Sequence, residues 1–97
     1  MYQPLNAVTG KPYQGKNVVI LTEAAIALST TDCRWATFVQ AKSKGWTVRK
    51  GSKGVRIVAA KEVREGDESA ERFYRHCTVF NAVQIEGIPE QSEEVSM

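Results

Sequence analysis

A chain of 97 residues, of which 42% are apolar, is long enough for one small globular domain and too short for an enzyme active site enclosed on all sides. Its net charge of +2 conceals an asymmetry, because residues 11–64 hold eleven Lys or Arg and three acids, while residues 65–97 hold two Arg and eight acids. No stretch approaches the ~18 apolar residues of a membrane span and no signal peptide is recognisable, which indicates a cytoplasmic protein with no membrane partner.

The first predicted elements are an extended arm over residues 1–16 and a helix over residues 17–29. Four Pro or Gly residues interrupt the arm. The helix has apolar residues at helical spacing, and Asn17 is its predicted N-cap. The β-branched run at residues 18–20 also fits a strand, but the alanines that follow it favour the helix.

A second, shorter helix has the clearest local signal in the sequence. Thr37 and Gln40 have the spacing of a capping box, in which each residue satisfies a backbone N–H of the other. Two lysines fall in the last turn, where cations suit the helix dipole, and Gly45 follows where a left-handed residue is needed. We therefore predict a helix over residues 38–44.

The rest of the chain predicts a sheet. Three strands follow from alternating apolar residues, and an acidic loop joins the last two as an antiparallel hairpin. Two helices followed by three strands predict an α+β fold, with both helices on one face of a small, mainly antiparallel three-stranded sheet. This single domain ends near residue 88, and residues 89–97 are predicted to be a disordered acidic tail. The strands cover residues 46–48, 55–63 and 72–81, with a turn at 51–54 and the acidic loop at 65–71.

Residues 42–57, KSKGWTVRKGSKGVRI, contain six Lys or Arg, three glycines and no acid. A cluster of one sign at this density indicates a surface that binds a polyanion. The glycines would let the backbone approach a phosphate closely, although they are equally suited to an ordinary hairpin turn, and the P-loop pattern is absent. From this basic hairpin we predict phosphate contacts by Arg49, Lys50, Lys53 and Arg56.

Aromatic residues alternate with cations elsewhere as well. Tyr13 lies between Lys11 and Lys16, and Trp35 follows Arg34. Because Tyr13 and Trp35 fall in segments predicted as irregular, we expect both to be exposed and to stack on unpaired bases, beside phosphate contacts from Lys11 and Arg34. Stacking tolerates any base, so the pattern fits RNA as well as DNA. Three other aromatic residues are assigned to the core, namely Phe38, Trp46 and Phe80.

Catalysis and metal binding have little support in the sequence. His76 and Cys77 are neighbours in a predicted strand and therefore point to opposite faces of the sheet. Together with Cys33 they lack the two close pairs of a zinc site, and without a secretory signal the two cysteines are predicted to stay unpaired. We therefore predict no enzyme activity, no metal and no cofactor.

Three motifs carry a resemblance to a known family. They are NAVTGKPYQGKN at residues 6–17, RWATFVQA followed by GWTVRKGSKG within residues 34–54, and TVFNAVQIEG at residues 78–87. In this order and spacing the chain resembles the N-terminal domain of ArdC-type antirestriction proteins, which also begins TraC-type plasmid primases. The resemblance implies a single-stranded DNA-binding domain of plasmids, conjugative elements or phages. The larger ArdC-type proteins continue into a zinc metalloprotease-like domain with a His-Glu-x-x-His motif, which this sequence lacks.

A function of a different class also fits the charge asymmetry. The acidic loop and tail, at residues 65–71 and 89–97, could bind a host or element-encoded protein by mimicking nucleic-acid charge, with DNA binding lost. The tail could instead fold over the basic face and weaken non-specific DNA binding. The two functions differ in salt dependence, because binding through several phosphates weakens steeply as salt rises.

Overall fold

The structure, a computed structural model, describes residues 2–60 and 74–90, with side chains described up to residue 58 and from residue 76. Two helices and several strands within these residues confirm the α+β class. The elements in chain order are β1 (Leu5–Asn6), α1 (Lys16–Ala27), β2 (Arg34–Thr37), α2 (Phe38–Ser43), β3 (Thr47–Val48), β4 (Val55–Ala60), β5 (Tyr74–Asn81), a 3₁₀ helix (Ala82–Gln84) and β6 (Ile85–Glu86).

Four strands form one sheet in the order β1, β2, β5, β4, and β3 pairs separately with β6. β4 and β5 are antiparallel, as predicted, with Val55 opposite Val79 and Ala60 opposite Tyr74. The sheet is mainly antiparallel, as predicted, but it has four strands rather than three, and β1 runs parallel to β2. β1 and β2 have two and four residues, which is too short for an alternating pattern to reveal them.

The two helices lie on opposite faces of the sheet, and the prediction of a shared face was wrong. Trp35 and Ala36 are consecutive residues of β2, so their side chains point to opposite faces. On the first face, here called the α1 face, Leu21 packs against Trp35 and Val79. On the opposite face, here called the α2 face, Ala41 of α2 packs against Ala36. Each face of the sheet therefore has its own apolar layer.

Helix α1 begins one residue earlier than predicted, and Asn17 is not its N-cap. Gly15 occupies the cap position with φ 68°, and no side chain caps the helix. The Asn17 side chain instead binds the backbone of Val58 in edge strand β4, donating from Nδ2 to the carbonyl at 2.6 Å and accepting the N–H at Oδ1 at 3.1 Å. Asn17 thus joins the start of α1 to the open edge of the sheet.

Helix α2 has the predicted capping box. The Thr37 hydroxyl accepts the Gln40 backbone N–H at 3.0 Å, and Gln40 Oε1 accepts the Thr37 N–H at 3.1 Å. Gly45 follows in the left-handed conformation, with φ 82°. The box turns the chain from β2 directly into α2.

The three aromatic residues assigned to the core divide between core and surface. Trp46 and Phe80 pack against the apolar layer of the α2 face. Phe38 is 54% exposed, so its predicted core position was wrong. As the first residue of α2, Phe38 lies just beyond the strand whose side chains enter the core.

Several predicted features lie partly or wholly outside the described residues. The strand predicted over residues 55–63 is described to residue 60, while the acidic loop at 65–71 and residues 91–97 of the predicted tail are not described. Neither helix in the described part of the chain is long and apolar enough to cross a membrane. Cys33 and Cys77 are free thiols.

Candidate nucleic-acid interface

The cations of residues 49–56, here called the basic segment, lie on and around the connection from β3 to β4. Because β3 pairs with β6, the predicted hairpin between β3 and β4 does not form. The segment is held by Gln84, whose carbonyl accepts the Arg49 backbone N–H at 2.8 Å and whose Nε2 donates to the Lys53 carbonyl at 2.9 Å. The buried Gln84 therefore fixes the backbone at both ends of the turn that carries the cations.

The four residues of this segment that were predicted to contact phosphates differ in whether their charge is paired with an acid. Lys50, Lys53 and Arg56 are exposed and make no ion pair within the residues that the structure describes. Arg49 donates to Glu86 Oε2 at 2.9 Å and to the Val83 carbonyl at 3.2 Å, although about half of its side chain stays open to solvent. Arg49 therefore helps to anchor the segment, whereas the other three cations, unpaired among the described residues, present their charge to solvent.

Two glycines of the basic segment are required by the backbone. Gly51 has φ 85°, a conformation that other residues adopt only at a cost, while a Cβ at this position would meet open space. A Cβ on Gly54 would overlap the Thr78 methyl group and lie 3.0 Å from Phe80 Cζ. These glycines serve the fold whether or not a phosphate approaches them.

The Arg34–Trp35 pair is engaged in contacts within the fold, and the predicted exposure of Trp35 was wrong. Trp35 has no exposed surface, and its Nε1 donates to the Tyr2 hydroxyl at 2.9 Å. The Arg34 guanidinium pairs with Asp32 at 2.8 Å and donates to the Pro89 carbonyl. Both residues belong to β2, an interior strand of the sheet, whereas the sequence had suggested an irregular segment.

The electrostatics of the Arg34–Asp32 pair are those of a structural ion pair. Partial burial alone would raise the pKa of the Asp32 carboxyl, but the side-chain and backbone hydrogen bonds from Arg34 outweigh burial and hold that pKa below its ordinary value. The carboxylate also raises the pKa of the Arg34 guanidinium. Both groups therefore stay charged at neutral pH and bind each other.

Lys11 and Tyr13 lie in the arm, apart from the basic segment in the sequence. Lys11 is exposed, as its predicted role requires. Tyr13, which was expected to be exposed, is half-buried, because its ring packs against the core of the α1 face. Its hydroxyl accepts from Asn6 Nδ2 at 3.2 Å. Burial raises the pKa of the Tyr13 phenol.

Tyr13 borders a cleft with a volume of about 990 Å³ on the α1 face of the sheet. The cleft lies between residues 12–17, the start of α2 and the central strand β5. Its floor is apolar and its rim is polar or charged. The floor includes Ile57, Cys77 and Val79, and the rim includes Asn6, Lys16 and Gln40.

One amide joins the two walls of this cleft. Asn6 Nδ2 donates to the Tyr13 hydroxyl and also to Gln40 Oε1, the latter at 3.0 Å. Asn6 Oδ1 accepts the backbone N–H groups of Val8 and Thr9, which holds the turn that follows β1. Sequence reasoning missed this cleft, although two of the motifs that carried the resemblance, at residues 6–17 and 34–41, supply most of its rim.

Within residues 2–60 and 74–90, no three His, Cys, Asp or Glu side chains converge to hold a metal ion. His76 lies opposite Val58, and Cys77 lies opposite Ile57. Their side chains therefore point to opposite faces of β5, which is not the arrangement of a nucleophile with its base.

The chain is similar to known proteins both in sequence and in structure. A family model described as the N-terminal domain of the anti-restriction factor ArdC matches residues 1–94. The Mn(II)-bound crystal structure of the antirestriction protein ArdC from plasmid R388 aligns with a TM-score of 0.79 and 39% identity, covering 93% of this chain and 37% of that chain. The metal-free structure of the same protein aligns with a TM-score of 0.75 and 38% identity, covering 91% and 34%.

The curated relatives are also much longer than this chain. A DNA primase TraC of Escherichia coli is 33% identical, and the alignment covers 91% of this chain but 7% of the primase. The uncharacterized protein y4eC of Sinorhizobium fredii is 32% identical, with coverage of 87% and 31%. This chain therefore corresponds to a small part of each relative.

Proposed function

This chain belongs to the family of N-terminal domains of the anti-restriction factor ArdC, and on that premise we propose that it binds single-stranded DNA in the service of a mobile genetic element. The relatives support that setting, since one is an antirestriction protein of a plasmid and another is a DNA primase. The proposed role is binding without catalysis, for a plasmid, a conjugative element or a phage.

The observation that carries this proposal is the exposure of unpaired cations on the basic segment. Lys50, Lys53 and Arg56 are exposed cations with no ion pair in the described part of the chain, on a backbone that Gln84 holds in place. A backbone ordered before binding loses less conformational entropy when a ligand arrives. Three free cations on such a support are suited to successive phosphates of a nucleic acid.

The fold favours a single strand over a duplex. Proteins that read duplex DNA commonly insert a basic helix or a two-stranded ribbon into the major groove. Among the described elements, α1 carries one lysine and one glutamate over twelve residues, and α2 is only six residues long. A groove lined by cations and aromatic surface is the usual means of holding single strands.

The test is fluorescence anisotropy with labelled single-stranded and duplex DNA of equal length, each at several salt concentrations. We expect tighter binding to the single strand, with log affinity falling by about 0.7 per contacted phosphate for each decade of salt. The double variant Lys50→Ala with Lys53→Ala should weaken binding and reduce this slope by about 1.4. The matched control is Lys42→Ala with Lys44→Ala, which removes the same charge from the end of α2.

Equal losses in the two double variants would show attraction by net charge alone and would contradict a defined basic surface. Absence of binding at low salt would contradict the proposed function. The acidic loop and tail would then become the surface to test, by pull-down of a protein partner. An RNA strand of the same length, run beside the DNA, separates preference for DNA from general single-strand binding.

A further inference from the structure

We propose that the cleft on the α1 face holds one unpaired nucleotide of the bound strand, with the base over the apolar floor and the phosphate beside Lys16. This proposal rests on the proposed function, because it assigns a specific part of the strand to a second region of the domain. The cleft lies apart from the cations of the basic segment, none of which lines it.

The cleft has the size and lining of a small-molecule site. Its volume of about 990 Å³ lies at the upper end of the range typical of such sites, roughly 300–1,000 Å³. Ile57, Val79 and Cys77 make an apolar floor, and the half-buried Tyr13 ring stands at one side. Apolar and aromatic surface is what the face of a base contacts when it leaves a stack.

The polar rim offers hydrogen-bond donors that no group in the described residues accepts. Gln40 Oε1 accepts from the Thr37 N–H and from Asn6 Nδ2, which fixes the orientation of the amide and leaves its Nε2 group unused within the described residues. The Tyr13 hydroxyl accepts from Asn6, and its own proton has no acceptor in the described part of the chain. Donors without acceptors suit a ligand edge made of carbonyl oxygens and ring nitrogens, as in a nucleobase.

The side of the cleft formed by the start of α1, which Asn17 ties to edge strand β4, suits a phosphate. Lys16 lines it as an exposed cation and is the first residue of α1. No side chain caps this helix and no acid lies in its first turn, so the positive end of the helix dipole is not neutralised there. A base at the Gln40 side and a phosphate at the Lys16 side together make one nucleotide of a single strand.

Cys77 provides a direct reporter of occupancy, because it lies in the cleft floor while Cys33 lies elsewhere. In a Cys33→Ser background the rate of Cys77 alkylation is measured with and without a single-stranded oligonucleotide of about ten nucleotides. Burial raises the pKa of the Cys77 thiol, so the reaction is run at mildly alkaline pH. The comparison ligand is an oligonucleotide of the same length that carries abasic sites throughout, which keeps the phosphates and lacks the bases.

We expect the intact oligonucleotide to slow alkylation at least about tenfold at saturation, and the abasic one to bind more weakly and leave the rate nearly unchanged. Gln40→Glu keeps an oxygen that accepts from the Thr37 N–H and from Asn6 Nδ2, but replaces the free donor with an acceptor. It should abolish the preference for intact over abasic DNA. The matched control is Val39→Glu, which adds the same charge at the neighbouring position, 74% exposed and outside the cleft.

Anisotropy on the same samples separates the two proposals. If the intact oligonucleotide binds and the Cys77 rate does not change, the nucleotide site is wrong and the basic segment alone holds the DNA. Equal protection by the abasic oligonucleotide would also overturn it, since phosphates would then suffice. If no oligonucleotide binds, both proposals fail together.

Discussion

Two parts of this chain have a tryptophan within three residues of a cation, and the fold uses them in opposite ways. In β2, Arg34 and Trp35 become an ion pair and a fully buried ring. After β3, the cations of the basic segment reach solvent, while Trp46, which precedes β3, packs against the apolar layer of the α2 face. Segments of similar composition therefore end in different environments. The one in interior strand β2 becomes part of the core, and the one in the connection held by Gln84 becomes a candidate binding surface.

The largest effect that sharpens this comparison is expected at Trp35. Replacing Trp35 with Ala should lower the free energy of unfolding by about 3–5 kcal/mol, because it leaves a cavity and removes the N–H that donates to the Tyr2 hydroxyl. Chemical denaturation measures the loss. A stable Trp35→Ala protein with selectively weakened DNA binding would show that the ring contacts bases, contrary to its position in the core.

The next largest effect concerns Gly54, the residue of the basic segment that directly precedes β4. Gly54→Val should cost about 1–3 kcal/mol, because the new side chain meets Thr78 and the Phe80 ring. Gly51→Ala is the control, since its cost of about 1 kcal/mol arises from the positive φ alone. If thermal or chemical unfolding ranks the two variants in the reverse order, the packing of Gly54 on β5 is wrong.

A pH-dependent effect should mark the Arg34–Asp32 pair. The pKa of Asp32 is depressed in the folded protein, so its contribution is present above the ordinary carboxyl pKa and is lost as pH falls through the folded pKa. Between neutral pH and about pH 3, wild type should lose more stability than Asp32→Asn, which has no carboxyl to protonate. Parallel denaturation curves with identical losses for both proteins would contradict the structural role of this ion pair.

The smallest effect on stability is expected in the basic segment itself. Lys53→Ala should change the free energy of unfolding by less than about 0.5 kcal/mol, because its side chain is exposed and makes no ion pair in the described residues. The same change should weaken single-stranded DNA binding. Paired denaturation and anisotropy measurements on one preparation check both statements, and a marked loss of stability would mean that the segment is structural.

The predictions from sequence succeeded where the signal was local. The capping box of Thr37 and Gln40 is decided within four residues, and the β4–β5 pairing follows from alternation along two long strands. The predictions failed where the environment of a residue depends on residues far away in the sequence. Asn17 looked like an N-cap but bonds to Val58, which is 41 positions away.

In the candidate site, too, local features were predictable from the sequence and long-range ones were not. Exposure of Lys50, Lys53 and Arg56 was predictable, because cations avoid burial and cluster in a glycine-rich connection. The pairing of β3 with β6, which replaced the predicted hairpin, needed a partner almost forty residues away. The cleft was equally hidden, because its rim combines an arm, the start of α1 and the start of α2.

The sequence by itself determined the α+β class, the capped helix α2, the β4–β5 pairing and the charge of the basic segment, because these depend on residue type and on spacing over a few positions. Only the tertiary structure decided that Trp35 is buried, that Gln84 supports the cations, and that Asn6 links Tyr13 to Gln40 across a cleft. These features require strands and loops distant in sequence to meet, and such meetings are set by the packing of the whole domain.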